Sequence, residues 1–88
     1  MKQSNSVVVN KKKYYLFKIT WVDITGDAGH RSYDGLASMK PAYKTTFAFI
    51  FKKDNKLIHT FSTYDNKEEE FSDCNVFPKG CIIKMEKI

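Results

Sequence analysis

The sequence predicts an all-β fold: a single small five-stranded barrel, Src-homology-type or Sm-like, with a long first loop and a single-turn helix before the last strand. Three observations predict it. Apolar residues recur with a period of two along short stretches, turn-forming Gly, Pro, Asn and Asp separate those stretches, and no stretch carries a helical period over the length of an ordinary helix. The 88 residues fit one domain, since chains divide into domains of roughly 100–150 residues. An apolar fraction of 42%, with seven Phe, five Tyr and one Trp, closes one small core but leaves nothing for a deep cofactor cleft beside it. Binding is therefore expected ahead of catalysis.

Residues 1–12 are polar or basic around Val7-Val8-Val9 and read as a flexible basic arm able to add an edge strand, with the barrel domain over 13–88. From Tyr14 to Asp23 the odd positions Tyr15, Phe17, Ile19 and Trp21 are apolar, which marks the first strand. Residues 24–42 hold three of the four glycines, two aspartates and Pro41, so they read as a loop with at most one helical turn at Leu36, Ala37 and Met39. At 19 residues it exceeds the roughly 12–15 usual for a structureless connection, and such loops tend to be functional.

The second strand, Tyr43 to Lys53, alternates Phe47, Phe49 and Phe51 with milder residues, so its aromatic side is expected to face the core. Asp54-Asn55-Lys56 turns it into a third strand, Leu57 to Tyr64. Residues 65–73 form an acidic turn with five acids and one lysine. A fourth strand covers about Phe71 to Phe77, Pro78-Lys79-Gly80 makes a tight single turn, and Cys81 to Ile88 closes the fold. Tyr15, Phe17, Ile19, Phe47, Phe49, Phe61, Val76 and Ile83 are the expected interior. An oligonucleotide-binding barrel is the competing five-stranded answer, but it usually inserts a helix where this chain has the acidic turn.

Two elements resemble a group of small bacteriophage accessory proteins. Members carry a Trp-x-Asp strand end, a variable loop, a Thr-x-Gly-aromatic strand, a hairpin and a closing Ile-Pro-Lys-x-x-Ile segment. Here Trp21-Val22-Asp23 is similar to the first, and Phe77-Pro78-Lys79-Gly80-Cys81-Ile82 to the last, with Ala48 in place of Gly and Phe77 in place of Ile. The resemblance implies a barrel and a phage-encoded protein of counter-defence or host takeover, acting in the host cytoplasm. It implies no defined activity.

The formal net charge is +5, yet Lys2, Lys11, Lys12 and Lys13 supply four of those charges in a segment without acids. Residues 14–88 hold 11 basic against 10 acidic residues, or +1. The charge thus belongs to the arm, and a salt-sensitive phosphate contact through Lys11, Lys12 and Lys13 is one reading, a solvated run the other. The leading candidate is the 24–42 loop. Asp27, His30, Arg31, Tyr33 and Lys40 stand among its glycines, and Trp21 and Asp23 lie at its entrance. Glycines let backbone amides approach an anion, Arg31 and Lys40 suit phosphate, and Tyr33 can stack on a base. The plain alternatives are an ordinary turn-rich loop and a Trp21 that anchors the core. The acidic Glu68-Glu69-Glu70 is either a solvated face or a contact for a basic host protein.

Neither an enzyme nor a metal site is expected. Ser32, His30 and Asp34 lie in one glycine-rich loop without a rigid frame, His59 shares a face with Phe61, and Cys74 and Cys81 lack zinc or redox spacing. No signal-peptide core and no membrane-length apolar window occurs, so a cytoplasmic protein with reduced thiols is expected. Three functions follow in order: sequestration of an anionic nucleotide-type ligand by the loop, stoichiometric inhibition of a host protein, and single-stranded nucleic-acid binding. No cofactor is implied. A homo-oligomer is expected because so small a body buries only about 60% of its unfolded surface.

Overall fold

The computed structural model describes residues 5–88, and these form a mostly β, antiparallel structure. In chain order the strands are β1 Ser6–Val9, β2 Lys12–Asp23, β3 Ala42–Lys53, β4 Leu57–Phe61, β5 Thr63–Asp65, β6 Glu70–Ser72, β7 Asn75–Pro78 and β8 Ile82–Lys87, with a short helix α1 over Tyr33–Ala37. A single 3-10 turn, Lys79–Cys81, precedes β8 as expected. Among the described residues no helix is long and apolar enough to cross a membrane.

The described residues form eight strands, not five. The main sheet runs β1-β2-β3-β4-β7, and β8 also pairs with β2. Both β1 and β8 use the same edge of the long β2, β1 against residues 12–15 and β8 against residues 17–21. Bonds from Asn5 N to Ile88 O (2.9 Å) and from Ile88 N to Leu16 O (3.0 Å) close the seam where the two meet. Among the described residues no ladder joins β7 to β8, so a closed barrel is not formed by pairing.

The extra strands have local causes. Asn10 and Lys11 both adopt left-handed backbone, φ 51° and 64°, which matches the twist of a two-residue hairpin and folds Ser6–Val9 back onto β2. The expected arm over 1–12 is thus an edge strand from Ser6 onward, with Val9 fully buried; residues 1–4 lie outside the described residues. The expected third strand breaks at Ser62 and the fourth at Asp73, itself left-handed with φ 52°. Their ends pair with each other as the separate β5–β6 ribbon. Asp65 Oδ1 accepts from the amides of Lys67 and Glu68 and shapes that ribbon's turn. Asp54 does the same for Lys56 and Leu57, both at 2.8 Å, so the expected Asp54-Asn55-Lys56 hairpin is present.

The expected interior needs correction, because the sheet packs on both faces. On the inner face Ile19, Ala48, Ile58 and Phe77 are buried, with Phe17, Trp21, Ile50, Ile82 and Met85 against them. On the outer face Val9, Tyr14 and Phe61 are buried, with Val7, Phe49, Tyr64 and Phe71 around them. Side chains alternate along a strand, so Ala48 and Ile50 facing inward forces Phe47 and Phe49 outward. Phe47 is left 55% exposed and Val76 53%, since Phe77 occupies the inner position of β7. Ile83 is 55% exposed because a bulge lets Trp21 pair with Ile82 after Thr20 pairs with Lys84, leaving Ile83 as the extra residue. A second bulge, between Ile50 and Lys52, strands Phe51 in the same way. Tyr15 also stays partly exposed.

Candidate binding groove

The loop is more ordered than a chain of turns. Ser32 caps α1 by accepting from the Gly35 amide at 3.1 Å, and Ser38 closes its other end with a hydroxyl bond to Gly35 O. Asp27 takes the Gly29 amide at 2.9 Å on one oxygen and the Arg31 Nε at 2.6 Å on the other. The Gly29 amide and the Arg31 guanidinium together hold the Asp27 carboxyl below its ordinary range. Thr25 Oγ1 donates to Lys40 O at 2.8 Å and ties the loop's two legs.

These bonds use part of the set expected to hold an anion. Arg31 is paired with Asp27, and the Gly29 and Gly35 amides point to side chains of the loop itself. His30, Tyr33 and Lys40 are exposed. The hollow at the loop base is lined by Ile24, Thr25, Met39, Lys40 and Pro41, so of the expected set it contains Lys40 alone. Trp21 donates from Nε1 to Thr46 Oγ1 at 2.9 Å and meets the Phe77 ring edge-on at 5.3 Å. It serves as the core anchor. Asp23 ends β2 opposite Ala42. Among the described residues the structure does not gather the seven loop and entrance residues around one cavity.

The lysine run divides by strand geometry. Lys11 lies in the hairpin turn and Lys12 pairs with Val9, while Lys13 falls on the opposite face beside Tyr15. There it joins a hollow of about 230 Å³ lined by Lys13, Tyr15, Phe17, Ile50, Lys53 and Lys87, with Tyr14 at its edge. No carboxylate lines it. Lys87 is placed by its register opposite Phe17, and its ammonium sits 4.3 Å from the Tyr15 ring centre and 5.9 Å from that of Phe17. Lys13 approaches the same Tyr15 ring at 5.7 Å. Three strands thus bring three exposed lysines to one hollow, two of them against its aromatic rings. Cation–π contacts of this kind contribute about 0.5–1 kcal/mol at exposed sites, which leaves the ammoniums free to exchange a ring for a phosphate.

The other expected surfaces are placed as follows. Glu68, Glu69 and Glu70 are exposed in the β5–β6 turn and make no ion pair among the described residues. His59 lines an apolar hollow of about 160 Å³ with Phe51, Phe61, Phe71, Cys74 and Val76. Its Nδ1 is buried without a hydrogen-bond partner among the described residues. Among the described residues no group of three metal-ligating side chains occurs.

Sequence reasoning named Lys13 but missed Lys53 and Lys87. Both stand at strand ends, and only the pairing of β8 and β3 with their neighbours reveals a shared face. Comparison with known proteins gave no match: no family model fits the chain, and no curated protein or solved structure is significantly similar to it.

Proposed function

We propose that this protein is a non-catalytic binding module for single-stranded nucleic acid, held in the groove of Lys13, Tyr15, Phe17, Lys53 and Lys87. The observation that carries this reading is that three lysines, without an ion-pair partner among the described residues, line one hollow with no carboxylate in its lining, and that two of them, Lys13 and Lys87, lie against its aromatic rings. Backbone-tracking cations beside a stacking platform are the two parts such binding requires, and neither demands a base sequence. The anionic nucleotide-type ligand expected at the 24–42 loop moves, on this reading, to the groove, because Arg31 and the Gly29 and Gly35 amides already have partners. The resemblance to phage accessory proteins gives counter-defence or host takeover as its setting. A Src-homology-type or Sm-like body accords with the order β8-β2-β3-β4-β7 and the 3-10 turn before β8.

Fluorescence anisotropy with a labelled oligothymidylate tests this. Three lysine–phosphate contacts predict a slope of log affinity against log salt of about −2, since single strands release about 0.7 counterion per contact. Lys87→Ala should shallow that slope by about 0.7, and Tyr15→Ala should weaken binding by roughly 1–3 kcal/mol at every salt concentration. Absence of binding at low salt, or binding indifferent to Lys53→Ala and Lys87→Ala, would overturn the proposal.

A further inference from the structure

The part of the molecule that the groove leaves unexplained is the ribbon of β2 and β3 with its connecting loop. The helix α1 buries no residue. Ile24 at the loop base is 89% exposed, Tyr33 and Leu36 on α1 are 86% and 65% exposed, and Tyr43 and Phe47 are exposed on the outer face of the ribbon. A compact 88-residue domain has a radius of gyration of about 12 Å; this chain has 17.0 Å and measures 55 Å along its longest axis. Its accessible surface is 6930 Å². A folded monomer of 10.2 kDa exposes about 5,300 Å², so the excess is on the order of 1,000 Å² or more. That meets the roughly 800 Å² that each partner contributes to a standard protein interface.

From this we infer that the ribbon is a homodimer interface, in which the loop of one copy, through Ile24, Tyr33 and Leu36, covers Tyr43 and Phe47 of a second copy. Charge favours a second copy as the occupant. Across residues 24–42 Asp27 and Asp34 balance Arg31 and Lys40, so two loop ends approach without the like-charge repulsion that a +5 chain would otherwise impose. Symmetry favours it too. A two-fold pairing requires that one surface carry both halves of the contact, and the same ribbon carries both apolar patches. The inference is independent of the groove, which lies on the opposite face of the sheet from Phe47.

Sedimentation velocity over a concentration series reaching about 100 µM, well above a micromolar dissociation constant, tests it. The wild-type chain should sediment at twice 10.2 kDa. Leu36→Asp and Phe47→Asp, both at exposed positions and checked for unchanged circular dichroism, should each raise the dissociation constant by about 30-fold or more, the mark of an interface hot spot. Glu69→Lys, remote in sequence from the ribbon, should leave it unchanged. A monomer at the highest concentration overturns the inference. So does a dimer that both ribbon variants leave intact, which would place self-association elsewhere, or a particle carrying a foreign polypeptide that the same variants release.

Discussion

The two faces of the β3 strand solve different problems with different residues. On the inner face the strand presents Ala48 and Ile50 to Ile19, Ile58 and Phe77. On the outer face Phe49 and Phe51 meet Tyr14, Phe61 and Phe71 beneath β1 and the β5–β6 ribbon. The rings there lie mostly edge to face, Tyr14 and Phe61 at 5.3 Å and 87°, for example, an arrangement worth about 0.5–1.5 kcal/mol per pair beyond area burial. The outer cluster fastens β1 and the β5–β6 ribbon onto a sheet whose own closure it does not supply. Along β3, aromatic residues thus mark the attachment of small flaps, while smaller aliphatic ones face the Trp21 and Phe77 rings of the interior.

The sharpest way to break this comparison is to remove the ring at the centre of the outer cluster. Phe61 is 1% exposed and touches the rings of Tyr14, Phe49, Tyr64 and Phe71. Phe61→Ala should cost about 3–5 kcal/mol in chemical denaturation, with amide protection lost first in β1, β5 and β6. Uniform loss across all strands would mean that the two clusters are one core. On the inner face the opposite change is the informative one. Ala48 is fully buried, so Ala48→Leu should overpack the interior and cost roughly 1–3 kcal/mol, whereas Phe47→Leu on the other side should be nearly silent.

Smaller effects sharpen the account of the flaps. Lys11 holds φ 64°, a conformation glycine adopts without steric cost, so Lys11→Gly should stabilise the β1–β2 hairpin by about 0.5–1 kcal/mol in thermal unfolding. A loss of stability would show that the lysine side chain contributes more than its backbone strain. The smallest effect concerns pH. The amides of Lys56 and Leu57 hold the Asp54 carboxyl below its ordinary 3.8. A depressed folded-state value gives a contribution that is present above 3.8 and lost as pH falls through the lower folded value. Asp54→Asn should therefore lower the melting temperature slightly at neutral pH, where the contribution is present, and flatten the acid limb of the profile below about pH 4, where the wild-type chain loses it.

Periodicity and turn chemistry made much of the fold legible in advance. The Tyr14–Asp23 alternation, the Asp54 turn, the break at Pro78 and the antiparallel β class all follow from local residues, because a strand's period and a turn's φ requirement act within a few positions. Trp21 as a core anchor was also within reach, since an indole seeks one apolar wall and one acceptor and finds them in Phe77 and Thr46. The candidate groove was legible only in Lys13. Lys53 and Lys87 carry no local signal, and the loop that did carry one is occupied with its own hydrogen bonds.

What the residues determine alone is where strands run and turn. Which side of each strand faces inward is a different matter, since Phe47-Ala48-Phe49-Ile50-Phe51 alternates equally well with either set inside. The choice depends on the width of the interior and on the two bulges that displace Phe51 and Ile83, and both are properties of strands already packed together. The same holds for the gathering of Lys13, Lys53 and Lys87. Charge is written into the chain residue by residue, but proximity between three strands exists only once their register is set.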